Sequence, residues 1–335
     1  MKTNSTLAVL LLLSFAARAA EPQRPATIEW APDGKVLVAV NGFLARFDPD
    51  SDAEELLDDT AIAFALRPAG AAGDSLLAVA TPDALALRSY PDFAMLAALP
   101  GLPGAVTVQA LAWSPAPPTA GRDAATLAGG TTEGHVLLWN VEPDRPEAAE
   151  LWADLGVAPP SAVLRLSFSA DGKRLLSAFE DGRAVLWDLE ARQELQRFDP
   201  LRDAQGKPLG EALSMLLSPD GRRVLATYRQ GEEAEMALLD ERGRVRWRRA
   251  GYGLEFTAEG AAVLALAPPF RIAALYRTED VEALRVFEPP EGVRLLHAVR
   301  SSPDGQKLVG VGEGPGGQML IVWDFASARV LRLRR

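Results

Sequence analysis

An all-β fold made of seven repeats of a four-stranded antiparallel sheet is predicted by three observations. A turn signature recurs along the chain. Each turn is followed at a similar distance by a strand ending on a large residue. No long helical pattern or linker interrupts the series. The clearest copy is "FSADGKRLLSAFEDGRAVLWDL", residues 168 to 189. Leu175, Leu176, Ala178 and Phe179 form one apolar run, Ala184 to Trp187 form a second, and Glu180-Asp181-Gly182 separates them. Asp-Gly between two such runs marks a hairpin, because the turn needs a positive φ that Gly adopts without steric cost. Upstream, Asp171-Gly172 closes a turn after Leu164, Leu166 and Phe168, which alternate with Arg165 and Ser167. Downstream, Glu194 to Phe198 supplies the fourth strand.

The first turn of each unit recurs as "APDG" (Ala31 to Gly34), "SADG" (Ser169 to Gly172), "SPDG" (Ser218 to Gly221), "TAEG" (Thr257 to Gly260) and "SPDG" (Ser302 to Gly305). Two further copies are eroded, "RPAGAAGDS" from Arg67 and "SPAPPTAGRD" from Ser114, the latter carrying an insertion with three prolines. With Gly34, Gly73, Gly121, Gly172, Gly221, Gly260 and Gly305 as markers, the steps are 39, 48, 51, 49, 39 and 45 residues, which makes seven units. The third strand of each closes on Phe47, Tyr90, Trp139, Trp187, Leu239, Tyr276 and Trp323. Asp48, Asn140, Asp188, Asp240 and Asp324 follow five of these directly.

These residues resemble the WD-repeat family, whose units of about 40 to 45 residues end a strand in Trp-Asp. The resemblance spans roughly residues 26 to 335 and implies a seven-bladed β-propeller of four-stranded antiparallel blades in one domain, residues 20 to 335. The chain departs from the family pattern in lacking a Gly-His ahead of any first strand; Gly134-His135 opens a third strand instead. Some units, such as "LLDERGRVRW" from Leu238, also resemble quinoprotein-like propellers. The combination is similar to a divergent, exported bacterial propeller.

A four-stranded sheet has two faces to cover, so neighbouring blades must supply each other's core. Counted back from the turn glycine, the even positions of first strands are apolar and expected in that core: Ile28, Trp30, Leu164, Leu166, Phe168, Leu213, Met215, Leu217, Tyr252, Leu254 and Phe256. One excursion stands out, Asp199 to Leu213, read as a polar loop between blades. The chain is expected to begin at a first strand near Ala26 to Trp30 and end at a fourth strand near Arg329 to Arg334, each within its own blade.

The first 19 residues read as a signal peptide. Lys2 precedes an apolar run from Leu7 to Phe15, followed by the small-residue pattern Ala17-Arg18-Ala19. The run is short for a bilayer span, so no transmembrane segment is expected after removal of the signal. Zero cysteines rule out a lipid-modified N-terminal Cys, disulfides and c-type haem attachment. The expected address is the periplasm, with secretion as the alternative.

Candidate chemistry is sparse. His135 and His297 are the only histidines, too few for a recurring His network. His135 starts a strand without a nearby ligand set, and His297 shares the register of Leu164 and Leu213 at a core or channel-rim position. "GEGPGG", Gly312 to Gly317, fits G-x-G-x-x-G, yet a strand follows where a dinucleotide site needs a helix N-terminus; a hairpin loop is expected. Asp48 to Asp59 resembles a calcium loop but has Ala53 for its turn glycine and Asp59 for its bidentate Glu, leaving a solvated turn or at most a weak surface calcium contact. No cofactor, metal or catalytic residue is assigned. Glu29, Arg165, Glu255 and Arg300 are candidate channel or blade-interface charges.

Two readings of function remain. One is a non-enzymatic interaction scaffold that binds another protein or a peptide through loops on one face. The other is a quinoprotein-like or hydrolase-like propeller with a ligand or active site at the central channel. Hairpins joining second to third strands and the segments joining blades should share one end, collecting Glu180, Asp181, Arg229, Glu232, Glu233, Phe270, Arg271 and the glycine-rich loop. Phe270, in "PPFR", either presents an aromatic anchor or folds back onto blade six. Arg244, Arg246 and Arg248 alternate on an expected outermost strand, as a guard against edge pairing or as a basic stripe for an acidic partner or anionic lipid. The net charge of -10 argues against nucleic acid.

Overall fold

The computed structural model describes residues 27–40, 42–51, 53–67, 75–100, 106–115, 124–203, 205–230, 233–315 and 317–334. The expected signal peptide and the turn markers Gly73 and Gly121 lie outside them. Twenty-eight strands form seven antiparallel sheets of four, each built from strands consecutive in sequence. Blade one comprises Thr27–Trp30, Val36–Val40, Phe43–Phe47 and Glu54–Asp58. Blade two comprises Ala63–Leu66, Ser75–Ala80, Leu85–Tyr90 and Met95–Ala98. Blade three comprises Val108–Trp113, Ala125–Thr131, Val136–Glu142 and Arg145–Asp154. Blade four comprises Val163–Phe168, Arg174–Phe179, Ala184–Asp188 and Gln193–Phe198. Blade five comprises Ala212–Leu217, Val224–Gln230, Glu233–Leu239 and Val245–Ala250. Blade six comprises Tyr252–Phe256, Ala262–Ala267, Ile272–Arg277 and Ala283–Phe287. Blade seven comprises Leu295–Ser301, Lys307–Gly314, Gly317–Asp324 and Val330–Arg334.

The chain divides into two compact units. One holds Met1–Ala61, Leu264–Tyr276 and Ala283–Arg335, and the other holds Ile62–Val263 and Arg277–Glu282. In the second unit the core lies between successive blades: Val136 and Leu138 of blade three pack with Leu175, Phe179 and Trp187 of blade four. Leu176 and Leu186 of blade four pack in turn with Met215, Leu217 and Tyr228 of blade five. In the first unit Val36 and Val38 pack against Val309, Val311 and Val322, so blades one and seven meet face to face. Thr27–Trp30 pairs only with blade one and Val330–Arg334 only with blade seven, as expected.

The repeated turn explains itself chemically. The hydroxyls of Ser169, Ser218 and Ser302 donate to Asp171, Asp220 and Asp304 at 2.6, 2.5 and 2.5 Å. The same hydroxyls accept the amides of Arg174, Arg223 and Lys307. Each Asp also accepts an amide two residues on, and the glycine that follows takes a positive φ between +66° and +69°. The Ser169 and Ser302 hydroxyls hold Asp171 and Asp304 below the usual carboxylate range.

The alternating-core expectation holds only in part. Ile28, Leu166, Met215 and Leu217 are buried, whereas Leu164, Leu213, Tyr252, Leu254 and Phe256 are half-buried. A bulge explains the first two departures: Val163 pairs with Phe179 and Arg165 with Ala178, which leaves Leu164 unpaired, and Ala212 and Ser214 leave out Leu213 in the same way. One extra residue reverses the side-chain parity upstream, so Val163 and Ala212 fill the core instead. His297 occupies the same bulge between Leu296 and Ala298. The Asp199 to Leu213 excursion is not uniformly polar: an Arg202 to Pro208 bridge folds it back, and Leu201 and Leu209 are buried.

Arg334 joins the last strand to blade one. Its guanidinium sits 2.5 Å from Glu54, donates to the Ala53 carbonyl at 3.3 Å, and lies 5.5 Å from the centre of the Phe47 ring. Burial raises the Glu54 carboxyl above its ordinary value of 4.5, and the Arg334 charge counters that rise. A raised folded-state pKa means the native state binds the proton more tightly than the unfolded chain, so this group's contribution is largest at low pH and falls as pH rises above 4.5. Arg334→Met removes the counter-charge and pushes the carboxyl further up. The variant is therefore expected to lose more stability relative to the parent at neutral pH than near pH 4.5, measured by urea unfolding. An equal loss at both would show that Arg334 acts by packing alone.

Candidate functional site

Within each unit, second-to-third-strand hairpins share an end with the segments that enter the blades. In the second unit the Glu180 amide donates to the Ala162 carbonyl, Asp181 to the Ser161 hydroxyl, and Arg229 to the Glu211 carbonyl. In the first unit Leu296 donates to Phe270, and Arg294 donates to Glu313. Antiparallel strand order requires this, since a first strand begins where the second strand ends.

The candidates of the second unit are Glu180, Asp181, Arg229 and Glu233, all exposed. Glu232 lies outside the described residues. Asp181 is committed to its own turn, accepting the amide of Arg183 at 3.0 Å and its Nε at 2.6 Å. Arg229 pairs with Glu211 at 3.2 Å. Arg183 also donates to Ala158 and Pro159, and Arg197 donates to Ala158, so two arginines hold the segment entering blade four in place.

Phe270 and Arg271 lie in the first unit. Phe270 is half-buried with φ +63°, its amide donating to Ala267 and its carbonyl accepting from Leu296, while Arg271 is exposed. A left-handed phenylalanine is costly, and these two hydrogen bonds on either side hold it there. The ring is thus neither fully presented nor folded away.

Three expectations are corrected. Gly312 to Gly317 is not a loop: strands run through Gly314 and resume at Gly317, and Gly312 is buried. Its glycine is steric, because a Cβ on Gly312 would sit 2.7 Å from the Leu295 carbonyl oxygen. Arg244, Arg246 and Arg248 do not share one face: Val245 pairs with Leu239 and Trp247 with Leu238, so Arg246 is a bulge that places Arg244 and Arg248 on opposite faces. The third strand of blade three runs past Trp139 to Glu142. In the calcium-like segment, Asp48 accepts the Asp50 amide, Asp50 pairs with Lys307 Nζ at 2.6 and 2.8 Å, and Asp52 lies outside the described residues.

His135 bonds Asp154 at 2.8 Å, and His297, whose pKa burial lowers, lies 3.9 Å from Glu313. Glu29, Arg165, Glu255 and Arg300 are all engaged in contacts. A cavity of about 60 Å³ in the first unit, lined by Val38, Phe43, Val311 and Met319 beside the Glu54–Arg334 pair, has room for one side chain or a few waters.

The residues that sequence reasoning missed hold blades together. Arg174 donates to the Gly221 carbonyl at 2.9 Å, Arg223 to the Thr278 hydroxyl at 3.1 Å, and Lys307 reaches Asp50, each cation lying two residues after a turn glycine. The recurring "DGKR", "DGRR" and "DGQK" carried that signal.

Seven blades of four antiparallel strands make the chain a seven-bladed β-propeller. The family model for the WD domain, G-beta repeat, matches residues 156–188, which run from the segment entering blade four to its Trp187-Asp188. Propellers with WD40 repeats typically serve as protein-interaction scaffolds and are usually non-enzymatic. No curated protein matches the chain. Among the described residues no helix is long and apolar enough to cross a membrane.

Proposed function

We propose that the chain is a non-enzymatic, exported scaffold that binds a protein or peptide through second-to-third-strand hairpin loops. The observation that carries this reading is the Phe270-Arg271 tip, where backbone hydrogen bonds on both sides hold an aromatic in a left-handed conformation beside an exposed Arg. An ordered aromatic next to Arg is the kind of pair that anchors interfaces. The WD40 repeat match supports the scaffold class. Export rests on the Lys2, Leu7 to Phe15 and Ala17-Arg18-Ala19 pattern.

One preparation tests both parts. The protein is crosslinked and purified from the native envelope, its N-terminus is read by mass spectrometry, and its partners are compared with those of a Phe270→Ala, Arg271→Ala double variant. The expected result is a mature chain starting at Ala20, and a double variant that folds normally but loses a partner. An intact Met1 would overturn export, and retention of every partner would overturn this tip as the binding site.

A further inference from the structure

The fourth strand of blade five, Val245–Ala250, is a sheet edge, with its only strand partner at Glu233–Leu239. Residues 240–249 carry five arginines, 242, 244, 246, 248 and 249, against the two carboxylates Asp240 and Glu241, in a chain of net charge -10. Several charges on the fourth strands of other blades are engaged within the molecule. Glu55 contacts Arg46, Glu194 pairs with Arg197 at 2.7 Å, Arg285 donates to the Phe325 carbonyl, and Arg334 holds Glu54.

On this edge Arg248 is engaged in the same way: it lies 3.6 Å from Glu235 and donates to the Arg202 carbonyl at 2.8 Å. Arg242, Arg244 and Arg246 are exposed, and among the described residues their guanidiniums make no ion pair. The strand beneath them is anchored, since the Trp247 indole donates to the Thr278 carbonyl at 2.8 Å. The turn is anchored too, because Asp240 accepts the amides of Arg242 and Arg244 at 3.0 and 2.9 Å. One or two charges are enough to discourage edge pairing. Asp240 offsets part of the charge of Arg244 and Arg246, and the positive charge in excess of it on a fixed scaffold favours an anionic partner.

We infer that this edge docks an acidic, extended segment of a partner protein, held by guanidinium–carboxylate contacts from Arg242, Arg244 and Arg246. The bulge at Arg246 interrupts the ladder and disfavours an added β-strand, which leaves the side chains to make the contacts. Arg242 and Arg244 in the turn and Arg246 at the start of the strand lie within five consecutive residues, a narrow site that matches a short stretch of peptide. A planar anionic membrane or a nucleic acid would bring its charge against the rest of an acidic protein. The Asp240–Arg244 turn joins third and fourth strands, so this surface lies at the opposite end of blade five from Arg229 and Glu233. On blade five it is therefore a site separate from the Arg229 and Glu233 hairpin.

The test measures binding of a fluorescein-labelled oligoglutamate peptide by anisotropy at low and physiological salt, and of phosphatidylglycerol vesicles by sedimentation. The proteins compared are the parent chain, an Arg242→Gln, Arg244→Gln, Arg246→Gln variant and an Arg145→Gln, Arg192→Gln control. The expected result is salt-sensitive peptide binding that weakens about tenfold or more in the triple variant and is unchanged in the control and in the Phe270→Ala, Arg271→Ala protein. Thermal unfolding should be alike for all. No peptide binding at low salt, equal weakening in the control, or binding of vesicles but not peptide would each overturn the proposal.

Discussion

Trp187→Ala is expected to lower the unfolding free energy by about 3 to 5 kcal/mol, the range for deleting a large buried aromatic. The side chain is 7% exposed and packs with Leu175, Phe179 and Val185 and with the Val136 and Leu138 layer of blade three. Its indole donates to the Ser177 hydroxyl at 2.9 Å, so the truncation also leaves a buried hydroxyl short of its donor. Trp187→Phe keeps most of the apolar contact and is expected to lose clearly less. Urea unfolding monitored by circular dichroism reads both, and a Trp187→Ala midpoint within error of the parent would show that the ring does not bridge the two blades.

Gly310→Val is expected to cost about 3 kcal/mol, at the upper end of ordinary overpacking. A Cβ at Gly310 would stand 2.8 Å from Cζ3 of Trp323 and 2.9 Å from Cγ1 of Val299. Trp323 is fully buried and its indole donates to the Glu288 carbonyl at 2.9 Å, so the ring cannot swing aside without losing that bond. Blade three repeats the arrangement, with Gly129 beneath the Trp139 ring. Blade four places Ser177 at the matching register beneath Trp187. A smaller partner should relieve the clash: Trp323→Leu combined with Gly310→Val is expected to lose less than the sum of the two single losses. Strict additivity in the same unfolding assay would mean that the two residues do not compete for space.

The blade count, the four-strand pattern and the identity of the turns were legible along the chain because each is a local property. Ser-x-Asp-Gly closes its own turn with its own hydroxyl and carboxylate, and the hydrogen bonds of Ser169, Ser218 and Ser302 stay within five residues. Large residues closing third strands could be read as core for the same reason, since their spacing from the turn sets the face they occupy. The candidate sites were only partly legible. Exposure of Glu180 and Arg271 followed from hairpin chemistry, but nothing local reveals that Arg183 reaches the Ala158 and Pro159 carbonyls or that Glu211 pairs with Arg229.

Bulges, inter-blade latches and unneutralised charge were decided by the tertiary structure. A bulge is the absence of one pairing, settled by how a strand meets its neighbour, so alternation alone placed Leu164 and Leu213 in the core and the arginines of blade five on one face. Arg174, Arg223 and Lys307 look like solvated charges in sequence and become connectors only when the next blade brings a carbonyl, a hydroxyl or a carboxylate within reach. Local chemistry encoded where the chain turns. The long-range geometry of facing blades determined which polar groups are paired within the molecule, because a charge is free or spent according to what lies opposite it in space.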